Sequence, residues 1–176
     1  MSRAMLLATF AILVFRVTTQ FPSAQAAPPT GKQGPLKASD ITNKIFPDQV
    51  FFRGQVAPVQ MRNTGGIHFS DDAYVLAGLV DSSGYSSDIR QKYQGYLISE
   101  VTLDIGGQKL VPGAYGFGFI AGDKFLVMDM GAHNVFLAAS TKDAEMKRPV
   151  PLQVVSTGNT YRLYVGRDYV EITRAN

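Results

Sequence analysis

The sequence predicts an all-β protein, an antiparallel β-sandwich or a closed β-barrel of about ten short strands with one or two short helices. Three observations carry that expectation. From Gln49 onward, short apolar or alternating runs follow one another, each ended by a turn signal such as Gly-Gly, Pro-Gly, Gly-Asp or Gly-Asn. No strand–helix–strand alternation interrupts them. The segment Leu97–Ile105 alternates cleanly, with Leu97, Ser99, Val101, Leu103 and Ile105 on one face and Ile98, Glu100, Thr102 and Asp104 on the other.

The chain opens with export signals. Arg3 gives a basic start, Met5 to Phe15 is an apolar run of 11 residues, and Ala24-Gln25-Ala26 is a small-x-small cleavage pattern. The run is shorter than the roughly 20 apolar residues that span a bilayer. Residues 1–26 therefore read as a secretory signal peptide, and the mature chain is expected in the periplasm or outside the cell, with no membrane span after cleavage. Cleavage removes Arg3 and Arg16, so 17 basic side chains fall to 15 against 14 acidic ones, a net charge of +1. No basic run remains to neutralise a row of phosphates, which argues against nucleic-acid binding. With no cysteine, disulfide and thiolate chemistry are excluded, and 11 Phe and 8 Tyr must supply much of the core.

Residues 27–38, rich in proline and glycine, read as a flexible leader, and residues 39–176 as a single β-rich domain. Ser39 is placed to cap a short helix that Pro47 stops. Gln49–Phe52 reads as a strand, and Val59–Phe69 as two short strands around an Asn-Thr-Gly-Gly turn. Tyr74–Val80 is apolar throughout, which fits a central strand covered on both faces. A helix is expected from Asp88, with Ile89, Tyr93 and Leu97 at i, i+4 and i+8 and Gly95 weakening its last turn. Further strands are expected at Ala114–Ile120, Phe125–Met130, Val135–Ala139, Leu152–Ser156, Tyr161–Val165 and Tyr169–Thr173. The charged stretch between Ser140 and Pro151 reads as an exposed loop.

The stretch Ile105–Phe125 packs six glycines into 21 residues. Gly113, Gly116 and Gly118 form G-x-x-G-x-G, the reverse of a dinucleotide fingerprint, with no helix after it to meet a pyrophosphate. The alternative is architectural: Gly106-Gly107 turns a hairpin, Pro112-Gly113 bends the chain, and a strand follows. Tyr115, Phe117 and Phe119 share one face of that strand, while Gly116 and Gly118 leave the other bare. Either a packed aromatic ring or a ligand fills such a face.

The run V-T-L-D-I-G-G-Q-K-L-V-P-G-A-Y-G resembles the GGxxLxPGxYxΦ hairpin (Φ apolar) of small exported bacterial β-proteins of domain-of-unknown-function type. The tail from Arg148 to Arg174 is similar to periplasmic proteins of the same kind. The resemblance implies an exported β-fold and brings no catalytic residue with it.

Metal chemistry has two imidazoles to draw on. His68 precedes Asp71 and Asp72, and Asp129 precedes His133, so His68, Asp71, Asp129 and His133 are the candidate ligands if their side chains converge. The competing reading makes each an ordinary strand or turn residue. Nucleophilic catalysis lacks a G-x-S-x-G elbow, and a triad of Ser83 or Ser86 with His133 and Asp129 has no sequence support. Glu100 and Asp104, four apart on one extended strand, would stand roughly 13 Å apart, against the usual glycosidase separation of about 5–9.5 Å. No catalytic residue and no cofactor is assigned. For a ligand site the candidates are Tyr115, Gly116 and Gly118 at the bare face, with Tyr93 among the rings and Arg53 among the scattered arginines (Arg53, Arg62, Arg90, Arg162, Arg167).

The expectation is an exported, non-enzymatic β-domain that binds a small apolar or aromatic ligand, or an envelope protein. Two alternatives stand beside it. One is a small envelope hydrolase or isomerase using His68 or His133 with a nearby carboxylate; the other is a structural or assembly subunit.

Overall fold

The structure is a computed structural model that describes residues 33–41 and 45–175. The expected signal peptide and the first half of the leader lie outside these residues, as does the middle of the helix expected after Ser39. Among the described residues no helix is long and apolar enough to cross a membrane.

Among the described residues fourteen strands, all paired antiparallel, form two sheets. The larger runs β1 (Gly34–Lys37), β3 (Gln55–His68), β4 (Tyr74–Val80), β5 (Gly95–Ser99), β8 (Gly113–Ile120), β9 (Lys124–Met128) and β10 (Asn134–Ala139), with β2 (Gln49–Phe52) also pairing β3. The smaller runs β12 (Leu152–Thr157), β13 (Thr160–Val165), β14 (Asp168–Arg174), β6 (Leu103–Ile105) and β7 (Gln108–Leu110), with β11 (Thr141–Lys142) on β14. Neither sheet closes on itself, so the arrangement is sandwich-like and no closed barrel is seen among the described residues.

Period-two alternation sorts the larger sheet into two cores. Val75, Ala77, Leu97, Phe117 and Val127 point to a core shared with Leu103, Ile105, Leu163, Val170 and Ile172 of the smaller sheet. The intervening Leu76, Tyr96, Leu126 and Met128 point the other way, into an outer core. There they meet Phe46, Val50, Phe52, Tyr85, Ile89 and Tyr93 from β2, the β4–β5 connection and the loops. A sheet buried on both faces explains why Tyr74–Val80 has no polar face.

Four expectations need correction. First, Leu97–Ile105 is two strands in two sheets. The chain turns a corner at residues 100–102, where the buried Ser99 hydroxyl donates to the Val101 carbonyl at 2.6 Å and Glu100 N–H donates to Tyr74 O at 3.0 Å. The alternation survives because both sheets face one core: Leu97, Ser99, Val101, Leu103 and Ile105 are all buried. Glu100 and Asp104 are therefore not partners along one strand.

Second, Val59–Phe69 is not a hairpin. It belongs to the single 14-residue strand β3, and Asn63-Thr64-Gly65-Gly66 is no turn. Residues 60–63 bulge opposite Leu79 alone, between the pairs Val59–Val80 and Thr64–Gly78. The glycines are there for close approach: a Cβ on Gly65 would stand 3.1 Å from Leu152 Cδ2, and one on Gly66 would stand 2.5 Å from Val75 O.

Third, the expected helix stops early. Helix α1 covers only Ser87–Arg90, and Leu97 lies in β5. Helical bonding reaches Tyr93, whose N–H donates to Ile89 O, and at the next residue Gln94 N–H donates to Phe117 O and the sheet takes over. Gly95 fits this switch because any Cβ there would meet the Phe117 ring. Fourth, Gly34–Lys37, expected within the flexible leader, is an edge strand on β3.

The glycine hairpin is as read. Gly106 (φ 55°) and Gly107 (φ 83°) turn β6 into β7, and Pro112-Gly113 returns the chain to the larger sheet as β8. The β6–β7 hairpin is thus an excursion between β5 and β8, which pair with each other.

Candidate functional site

The glycine face of β8 is filled. A Cβ on Gly116 would lie 2.5 Å from the Phe52 ring and 3.1 Å from the Tyr93 ring, and one on Gly118 would meet the Lys92 carbonyl oxygen. Tyr93 is fully buried, its hydroxyl has no hydrogen-bond partner among the described residues, and burial pushes that phenol well above its ordinary value. Tyr115 donates its hydroxyl to Val111 O at 3.0 Å and packs against the inter-sheet core. Arg53 sits in the β2–β3 turn at φ 47°, and its N–H donates to Met130 O. These five residues therefore divide between packing and turn geometry.

The histidines form two separate pairs with carboxylates. His68, buried at the end of β3, has its Nε2 2.8 Å from Asp72 Oδ1, and its ring stacks on Tyr74 at 4.3 Å. Asp72 reaches it through a left-handed backbone (φ 65°), a conformation that aspartate tolerates. Asp71 turns away to a bidentate bond with Arg174 at 2.7 and 2.9 Å. Asp129 Oδ1 accepts from Gly131 N and His133 N, and Oδ2 lies 3.1 Å from His133 Nδ1. These bonds hold the Asp129 carboxyl below its ordinary value, with the His133 backbone N–H as the largest cause. Among the described residues no three His, Asp or Glu side chains converge as a metal site. Among the described residues the hydrogen bonds of the His133 ring and backbone N–H go to Asp129, and neither Ser83 nor Ser86 is joined to it.

What sequence reasoning missed is a groove at the open seam between the two sheets. There the free edge of β1 faces the free edge of β12 across ≈ 580 Å³, within the ~300–1,000 Å³ typical of ligand sites. It is lined by the consecutive residues 35–38 and 152–156 together with Arg62, Thr64 and Val150, Gln153 being the one amide side chain among them. Consecutive residues of a strand point to opposite faces, so a wall that includes both parities is a strand edge, and that of β12 rests on β3, where a Cβ on Gly65 would stand 3.3 Å from Val154 N. Val150 and Val155 are large apolar side chains left 42% and 39% exposed. Lys37 and Arg62 are the only charged residues of the lining, and neither forms a salt bridge among the described residues. None of Arg53, Tyr93, Tyr115, Gly116, Gly118 and the two histidines lines this groove.

Arg62 was visible in the sequence only as one scattered arginine. Val150 and Val155, on either side of Pro151 and beside an uncharged strand, were the remaining signal. Comparison of the chain with protein-family models, curated proteins and solved structures found no match.

Proposed function

We propose that this chain is an exported β-sandwich binding module, without catalytic activity of its own, whose ligand site is the seam between β1 and β12. The observation that carries the reading is the seam itself: exposed valines and two cations without salt bridges line a concave surface built from two strand edges. Apolar walls with a few convergent polar groups are the ordinary composition of a binding site. Export rests on Arg3, the apolar run Met5–Phe15 and Ala24-Gln25-Ala26. The histidines favour a non-enzymatic role. His68 is buried beneath Tyr74 and held by Asp72, and His133 is an exposed loop residue 82% open to solvent.

The test is a ¹⁵N NMR titration of the secreted chain with mixtures of apolar fragments and of short peptides, each mixture assayed for chemical change. Shift perturbations are expected to concentrate at residues 35–38, 62–64 and 150–156, with every probe recovered intact. Perturbations centred on His68 or His133 together with turnover of a probe would overturn the reading.

A further inference from the structure

Resting on that reading, we infer that the seam's ligand is a small aliphatic amphiphile, a single acyl-type chain that ends in an anionic head. The seam itself is shut to an added strand. Val154 N lies against Gly65 of β3, where a Cβ would stand 3.3 Å away, and Leu152 is buried at the same place. Recognition therefore falls to the side chains that line the surface over the closed seam.

Those side chains divide sharply. The apolar ones are aliphatic throughout, Leu36, Val150, Val154 and Val155 among them, and no aromatic ring lines the groove. A flat aryl ligand would find no ring to stack on, whereas a flexible chain can follow ridges of branched side chains. The neutral polar side chains already donate within the fold. Thr64 Oγ1 donates to Met61 O at 2.9 Å, Gln153 Nε2 to Met146 Sδ at 3.7 Å and Ser156 Oγ to Gly158 O at 3.5 Å. A ligand rich in hydroxyls would suit such a lining poorly, because its polar groups would lose water and gain few partners.

What is left over is charge. Neither the Lys37 nor the Arg62 side chain has a hydrogen bond or an ion pair among the described residues. No carboxylate stands in the lining, and Asp40 Oδ2 accepts the Lys37 backbone N–H at 2.9 Å from outside it. Arg62 belongs to the bulge at residues 60–63, the kind of irregularity that re-aims a side chain off the ladder. Its guanidinium fork fits two oxygens of a carboxylate or a phosphate, and Lys37 adds a point charge. An anionic head completes both cations while its tail covers the exposed valines.

The experiment follows the ¹⁵N spectrum of the secreted chain titrated with decanoate below its micelle concentration, against matched probes. Decanol and decyltrimethylammonium change the head, and octanoate and hexanoate shorten the tail. Naphthoate, an acid of similar size, replaces the tail by rings. Decanoate is expected to shift residues 35–38, 62–64 and 150–156, with decanol and decyltrimethylammonium about tenfold or more weaker. Affinity should fall roughly fourfold for each methylene removed. The Lys37→Gln/Arg62→Gln double variant should bind decanoate about tenfold more weakly and decanol unchanged, a contrast that disruption of the groove would not produce. Decyl phosphate decides between the two heads, and tighter binding of either acid supports the anionic requirement and names the head. Decanol binding as tightly as decanoate overturns that requirement, and naphthoate binding more tightly overturns the aliphatic body; in both cases the binding-module reading stands. If no amphiphile shifts the seam, the inference falls. The module reading falls with it only if the fragment and peptide mixtures leave the seam unshifted as well.

Discussion

The Phe52 ring lies against the Tyr93 ring with centroids 3.9 Å apart and planes 15° from parallel, in space that the missing side chain of Gly116 leaves open. The pair joins β2 to the β4–β5 connection and seals the outer core over the larger sheet. Gly116→Ala should destabilise by about 1–3 kcal/mol, because the new methyl overpacks a stacked pair. Gly118→Ala should cost more, since its methyl meets the Lys92 carbonyl, a backbone atom that has no rotamer to escape into. Urea unfolding midpoints of the two variants check both the magnitude and the order.

The two buried tyrosine hydroxyls of that cluster should behave oppositely. Tyr85 donates to the carbonyls of Phe52 and Gln55 at 2.9 and 3.1 Å, while the Tyr93 hydroxyl has no partner among the described residues. Tyr85→Phe should lose about 1 kcal/mol of stability, and Tyr93→Phe should be neutral or stabilising, because it removes a desolvated group that bonds nothing. Thermal unfolding of both variants decides it.

Acid should weaken the anchor between β14 and the β3–β4 turn. The hydrogen bond from Arg174 holds the Asp71 carboxyl below its ordinary value of 3.8. A carboxylate with a lowered folded-state value contributes stability that is fully present above the unfolded value and is lost as pH falls through the folded one. The melting temperatures of wild type and Asp71→Asn should therefore differ at neutral pH and converge below about pH 4. Parallel curves down to strong acid would show that the pair adds nothing.

Gly65 should control how β12 seats on β3. A Cβ there would stand 3.1 Å from Leu152 Cδ2 and 3.3 Å from Val154 N, so Gly65→Val must push β12 outward. A loss of about 1–3 kcal/mol is expected, with faster amide exchange in Leu152–Thr157 than in Val101–Ile105.

Much of the fold was legible because burial follows period two even where strands break. The alternation of Leu97–Ile105 passes through a corner between sheets without losing its inward face. The same glycines that signal turns misled at Gly65-Gly66, since a glycine that admits a neighbouring strand and one that turns a hairpin look alike in sequence. Ile89 and Tyr93 do share a helical face, but Leu97 was claimed by strand pairing, which a local periodicity does not register. The seam was not legible for a different reason. Its walls come from residues 35–38, 62–64 and 150–156, and only the strand order brings β1 beside β12.

The most direct test is amide hydrogen exchange across the described residues, with and without a fragment or peptide found to bind the secreted chain. Protection that rises at residues 35–38, 62–64 and 150–156 and stays unchanged across Tyr161–Val165 is the predicted result. Unchanged exchange along β12, with protection appearing around His68 or His133 instead, would contradict it.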